Sequence, residues 1–155
     1  MGLSYELTRY HRIGSPTDEA RVLGDRPLEC ALCHREKTVN ELVGAMERWW
    51  GKQYDRGRLR ALYGADLAVG AITSTLARGK PHEQATAIGV LGEQGTRRDV
   101  PLLAPHLSHP YPPVRYYAKH AIEKLTGAPL SIDVGLPAAE VAAQARRWLT
   151  ATAAP

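Results

Sequence analysis

A chain of 155 residues, 44% hydrophobic and 23% charged, has enough apolar material for one compact domain, or for a small cofactor-bearing segment joined to one. Its 20 basic and 16 acidic residues give a formal charge of +4, but they alternate along the whole length, so no dense cationic footprint for nucleic acid stands out. No apolar run approaches the roughly 18–20 residues that cross a bilayer, so no transmembrane segment is expected.

The opening Met1-Gly2-Leu3-Ser4-Tyr5-Glu6 has neither the basic n-region nor the apolar h-region of an export signal. From there to about residue 37 the chain reads as irregular. Gly14-Ser15-Pro16-Thr17-Asp18 and Gly24-Asp25-Arg26-Pro27 are turn clusters, and apolar periodicity between them is weak. Such a segment buries little surface unaided and needs something to wrap around.

Regular structure is expected from Thr38 onward. Thr38-Val39-Asn40-Glu41 has the form of a capping box, Val39, Leu42, Val43, Met46 and Trp50 recur at helical spacing, and Gly51 is a natural stop. A short helix follows around Arg56–Tyr63, then a longer one around Asp66–Arg78 ending near Gly79. Pro81 opens a helix with Ala85, Ile88 and Leu91 that ends near Gly95. Asp99-Val100-Pro101 opens a short one with Leu102, Leu103 and Leu107. Pro113 opens another with Val114, Ala118, Ala121, Ile122 and Leu125, stopped by Gly127. A last helix, Pro137 to about Thr150, brings Val141, Ala145, Trp148 and Leu149 to one face. Ala87-Ile88-x-x-Leu91 and Ala121-Ile122-x-x-Leu125 stand 34 residues apart, a period that belongs to stacked helix pairs.

Both cysteines fall in Cys30-Ala31-Leu32-Cys33-His34. Two intervening residues put the thiols on one turn, where they can add to the two vinyl groups of a haem, with the adjacent His34 as proximal iron ligand. Three other chemistries compete. A zinc site on Cys30, Cys33 and His34 needs a fourth ligand, and no second paired set is visible. A thioredoxin-type dithiol needs a preceding strand and a βαβ surround. A disulfide across so tight a loop stabilises little. The motif therefore reads as one covalent haem c, with Cys30 and Cys33 in thioether links and His34 on the iron. A zinc-binding interaction module on a helical scaffold is the alternative. Because covalent haem attachment follows export, the expected location is periplasmic or extracellular, with the export signal removed or carried on a longer polypeptide.

For the distal ligand the leading candidate is His11, in Thr8-Arg9-Tyr10-His11-Arg12-Ile13, within the segment that needs a cofactor to fold around. His82, at a helix start, reads as solvent-facing with a chance of reaching the haem. His106 and His109 flank a loop and read as exposed, and His120 reads as a half-buried packing residue. Met46 sits on the apolar stripe of the first helix, where packing is the commoner role. Among the aromatics after the motif, Trp49, Trp50, Tyr54 and Tyr63 either line a haem edge or fill the joint between the first helices; packing is favoured for Trp50, while Trp49 and Tyr54 are evenly divided. Arg12, Arg26 and Arg35 are candidates for pairing with haem propionates.

Two resemblances extend this reading. Pro110-Tyr111-Pro112-Pro113-Val114-Arg115 resembles the inter-helix turn of HEAT repeats, over roughly residues 66–127, which implies a rigid scaffold or docking surface. Tyr10-His11-Arg12-Ile13, Ser15-Pro16-Thr17-Asp18 and Arg26-Pro27-Leu28-Glu29 lead into the haem motif, and a Trp-rich helix and helical repeats follow. This succession, over about residues 8–127, resembles the C-terminal part of multihaem c-type cytochromes, where H-x-[FI]-x-x-P-x-[DT] precedes the last haem motif. The resemblance implies bis-histidine ligation, with His11 on the iron of this haem or of a neighbouring one. It also implies partners among other c-type cytochrome chains or upstream haem domains, with docking to a membrane or extracellular electron-transfer complex.

The expected fold is mainly α: a haem-binding N-terminal segment with its following helix over residues 1–50, then HEAT-like helix pairs over residues 51–155. The expected role is electron transfer, not catalysis. Two imidazoles leave the iron no open position, and no acid–base pair lies near the motif in sequence.

Overall fold

The computed structural model describes residues 15–152; His11 and Arg12 lie outside the described residues. The described chain is mainly helical, with no strand and one isolated bridge, Thr38 to Gly70. The α-helices are α1 (Glu19–Val22), α2 (Val39–Trp50), α3 (Arg56–Tyr63), α4 (Ala71–Arg78), α5 (Pro81–Gln94), α6 (Val100–Leu103), α7 (Pro112–Thr126) and α8 (Ala138–Thr152). Three 3₁₀ turns, Glu29–Leu32, Arg97–Asp99 and Ala104–Ser108, complete the order. Among the described residues no helix is long and apolar enough to cross a membrane.

Local chemistry sets most of these ends. At the start of α2, Glu41 N donates to Thr38 Oγ1 (3.2 Å) and Thr38 N donates to the Glu41 carboxylate (2.8 Å), so two orphan donors satisfy one another's residues. The Thr38 backbone N–H first, then the Thr38 hydroxyl and the Lys37 ammonium, donate to the Glu41 carboxylate and hold it at about 2. Gly51, at φ +62°, ends the helix in the left-handed region that favours glycine. Asp55 caps α3 by accepting from Arg58 N (3.0 Å), and Pro81 and Pro112 occupy first-turn positions where the missing N–H is harmless.

The helix expected over 66–78 begins only at Ala71. The difference has a clear cause: residues 66–70 are used to complete the start of α2. Val39 N donates to Val69 O (3.1 Å), Asn40 N to Leu67 O (2.9 Å) and Ala71 N to Lys37 O (3.1 Å). A helix through 67–70 would direct those carbonyls along its own axis instead. Residues 15–37, expected as irregular, contain the single-turn α1 and the 3₁₀ turn at Glu29–Leu32. α7 begins at Pro112, one residue before the position read from sequence.

One contiguous core runs from Val22 to Ala145. Its centre is the contact of α5 with both α4 and α7. Ala87, Ile88 and Leu91 of α5 and Ala121 and Ile122 of α7 are buried, with Leu125 packed at the edge. Gly92 lets the two helices approach closely, since a Cβ there would lie 3.0 Å from Ala121 Cβ. The link to α8 is strapped to α7: buried Arg115 donates to the carbonyls of His109, Val134 and Leu136 at 3.1, 3.0 and 3.3 Å, and Lys119 donates to Ile132 O at 2.9 Å. On α8, Val141 and Ala145 are buried and Trp148 is partly so, whereas Leu149, expected on the same face, is exposed.

Candidate functional site: a cavity behind the Cys-x-x-Cys-His turn

The motif sits on the 3₁₀ turn Glu29–Leu32 and the residues that close it. Ala31 N donates to Leu28 O (2.9 Å), Cys33 N to Cys30 O (3.3 Å) and His34 N to Cys30 O (2.9 Å). Residues at i, i+3 and i+4 share one side of such a turn, so Cys30, Cys33 and His34 come together. Ala31, with no exposed surface, lies on the other side, pinned in the core beside buried Leu28. The two cysteines are free thiols, Cys30 half-buried and Cys33 exposed. Burial raises the Cys30 thiol above its ordinary value, with Glu29 and Cys33 adding in the same direction, so it stays protonated at neutral pH.

Those three side chains line a cavity of about 490 Å³, within the range of about 300–1,000 Å³ usual for cofactor sites. Opposite them stands α2, which contributes Leu42, Ala45, Met46, Trp49 and Trp50; Pro16, Glu29 and Lys37 complete the lining. The helical period explains the wall: 42, 45, 46, 49 and 50 fall on one face at steps of three and four. Met46 is both core and wall, only 1% exposed. Trp49 and Trp50 are 71% and 52% exposed, packed edge-to-face on each other with ring centroids 5.7 Å apart. Two adjacent tryptophans so open to water are unusual in a chain with a well-filled core.

This corrects the expectation that Trp50 fills a joint between helices; it faces the cavity and solvent. Tyr54 takes the packing role instead, buried with its hydroxyl donating to Thr17 O (2.9 Å), and burial raises its phenol above the ordinary value. Tyr63 is buried as well, its hydroxyl donating to Asp25 O (3.4 Å).

The loop that carries the motif is tied to the helical block by charge. Glu83, 2% exposed at the start of α5, accepts from Arg26 N and Arg26 Nε (each 3.1 Å) and from Lys80 N (2.6 Å), and the Arg26 guanidinium also donates to Leu62 O (2.6 Å). The Arg26–Pro27 bond within this loop is cis. Arg35 pairs with Asp99 at 3.3 Å, and Gln94 Nε2 donates to Leu32 O (2.5 Å). Arg26 and Arg35, candidates for haem propionates, are therefore already held by carboxylates of this chain. Lys37 is the cation at the cavity wall among the described residues, paired with Glu41 at 3.1 Å. The sequence reading missed Glu83 because nothing in Pro81-His82-Glu83 announces burial; only its place at the third helical position marks it as a cap.

His82, His106, His109 and His120 lie away from the cavity lining. His82 is exposed, as expected. His106 and His109 are half-buried, not exposed, with ring centroids 6.4 Å apart; His109 Nδ1 accepts from Tyr111 N (3.0 Å). Burial first, and His109 second, lower His106 below its ordinary value. His120, expected as half-buried, is exposed on α7, with Nδ1 3.3 Å from Glu123 and its ring 4.2 Å from that of Tyr116.

Among the described residues no three His, Cys, Asp or Glu side chains form a group able to hold a metal ion, so a zinc site on Cys30 and Cys33 would take further ligands from outside them. No protein-family profile matches the chain, and neither the curated proteins nor the solved structures contain a match.

Proposed function

We propose that this chain is the C-terminal part of a multihaem c-type cytochrome, or a subunit of such an assembly, and that it transfers electrons. The observation that carries the reading is the composition of one cavity: two free thiols and an imidazole on one wall, and an apolar helix face with two tryptophans on the other. These residues fit a haem. Cys30 and Cys33 would hold it through thioether links, His34 would be the proximal iron ligand, and Leu42, Ala45, Met46, Trp49 and Trp50 would cover apolar ring surface. When bound, the haem supplies one-electron redox chemistry. The chain's contribution is attachment, orientation and exclusion of water.

His11, outside the described residues, is the proposed distal ligand of this haem or of a neighbour. It stands five positions before Pro16, which lines the cavity, and five residues can span at most about 16–18 Å. Bis-histidine ligation leaves no open iron position, which makes the chain an electron carrier and not an enzyme. The reading places it outside the cytoplasm, because covalent attachment follows export. Its partners are then other cytochrome chains or upstream haem domains. The α4–α5–α7 block is read as a HEAT-like mount that keeps the motif loop in place through Glu83, Asp99 and Gln94.

A reduced-minus-oxidised visible spectrum tests this. The expected result is a sharp α band that survives acid–acetone extraction and is lost in C30A/C33A. A colourless protein with stoichiometric zinc would establish the interaction-module alternative instead. His11→Ala tests the distal ligand, since an unchanged low-spin spectrum removes His11 from this iron.

A further inference from the structure

The last turns of α2 expose more than the cavity needs. Trp49 is the most exposed of the chain's large apolar side chains named above, and Arg48 and Lys52 flank the tryptophan pair, both exposed. Helical geometry puts Arg48 on the face next to that of Trp49, where it lines a second, open hollow of about 580 Å³ together with Lys52 and Arg56.

The charges of this hollow do not cancel. The Glu47 carboxylate is held by Arg56 (2.6 Å) and by Tyr54 N (3.3 Å), and Asp55 is committed to the cap of α3. Among the described residues no carboxylate lies within ion-pair distance of Arg48 or Lys52, nor of exposed Arg58 on α3. Cations are favoured at a helix C-terminus, which accounts for Arg48 alone. It accounts neither for Lys52 beyond Gly51 nor for two open tryptophans beside them.

Tryptophan and arginine are the residue types that dominate the energetics of protein interfaces, and an uncompensated basic rim steers an acidic surface toward the aromatic centre. We propose that Trp49 and Trp50, rimmed by Arg48 and Lys52, are the docking surface for an acidic one-electron redox protein. This rests on the electron-transfer reading and adds where the exchange occurs. The docking face and the thiol-bearing cavity share Trp49 and Trp50, so a partner seated there lies against the cavity mouth. With a haem held in the cavity, such a contact would serve a one-electron exchange, the partner oxidised as the chain is reduced or the reverse, with no proton or bond transferred.

The test uses the full chain and R48E/K52E, whose two positions lie outside the cavity lining. The probe is an acidic plant-type [2Fe–2S] ferredoxin, as reductant in stopped flow and in its oxidised form for calorimetric binding. Wild-type protein should react and bind in a strongly salt-dependent way. The double reversal should cut the low-salt rate and the affinity about tenfold or more and flatten the salt dependence, with an unchanged visible spectrum. Equal rates and affinities in the two proteins would overturn the docking face while leaving the haem in place. Binding to phosphatidylserine vesicles that the reversal abolishes, with ferredoxin binding untouched, would overturn it in favour of a membrane surface. A colourless wild type defeats the electron-transfer reading separately, and the calorimetric comparison still decides the face.

Discussion

The α5–α7 joint and the motif loop meet the same requirement, burial of apolar surface, in different ways. At the joint, chain packs directly on chain: Ile88 and Ile122 have no exposed surface, and Gly92 sits against Ala121 with no room for a methyl group between them. Around the motif, Leu28 and Ala31 are set into the core and polar ties supply much of the anchoring. Here α2 buries Val39, Leu42, Val43 and Met46 but leaves Trp49 and Trp50 on the cavity wall, open to water. The two tryptophans pack on each other and otherwise meet the cavity and solvent, while the backbone of the motif loop is firmly tied down.

Glu83→Ala should break this contrast most severely. It leaves the Arg26 guanidinium, 10% exposed, without its counter-charge, and losing one partner of a buried pair costs about 3–5 kcal/mol. Urea unfolding should show that loss. Hydrogen exchange at residues 26–34 and in the first turn of α5 should accelerate before exchange in α7 does, because Glu83 ties the motif loop to the start of α5 and makes no bond to α7.

The second comparison sets a core residue against a cavity residue. Ile122→Ala removes a side chain with no exposed surface and should cost about 2–5 kcal/mol in the protein regardless of what the cavity holds. Trp49→Ala, at a position 71% exposed, should change the stability of the cofactor-free protein by no more than about 0.5 kcal/mol. If the cavity holds the proposed haem, the same change should shift its reduction potential and lower the stability of the loaded protein further, by opening ring surface to water. Equal effects of Trp49→Ala with and without haem would mean that the indole does not cover the ring.

Thr38→Ala removes the hydroxyl half of the cap that starts α2 and should cost about 0.5–2 kcal/mol. The Glu41 carboxyl is held at about 2 against an ordinary value of 4.5, so the cap contributes fully above the ordinary value. That contribution fades as pH falls toward the lower one. Thr38→Ala should therefore flatten the acid limb of the stability profile.

Helix boundaries fixed by local rules were legible in the sequence. The Thr38–Glu41 capping box, Gly51, Pro81 and Gly127 each act within one turn of themselves. The failures share a different origin. Residues 66–70 read as helix because their apolar spacing permits it, yet their carbonyls serve the N–H groups of Val39 and Asn40 from some thirty positions earlier. Trp50 read as core because it continues a stripe with Met46, but the stripe outlasts the neighbours that bury it. His106 and His120 were exchanged in exposure, because the 3₁₀ turn Ala104–Ser108 packs inward against both α7 and α8. The motif spacing predicted a shared face for Cys30, Cys33 and His34, and that followed from one turn of geometry. The wall facing it, and Glu83 behind it, depended on contacts that no local pattern encodes.

The smallest expected effect belongs to His106, and its sign is fixed by the cause. Burial and the neighbouring His109 lower its ionisation below the ordinary 6.5, so the folded chain resists protonation that the unfolded chain accepts. Between the two values the unfolded state binds more protons, and stability must rise with pH there. The penalty is absent above about pH 6.5 and grows as pH falls through the folded value. His106→Gln keeps a polar ring-sized neighbour for His109 and cannot take up the proton. Urea midpoints measured from pH 7.5 to 5 should fall for the wild type and fall less for the variant. A similar loss in both would move the acid sensitivity off the Ala104–Ser108 turn. Within the comparison that began with the α5–α7 joint, this turn would then count as part of the rigid mount, with no titrating weak point between α7 and α8.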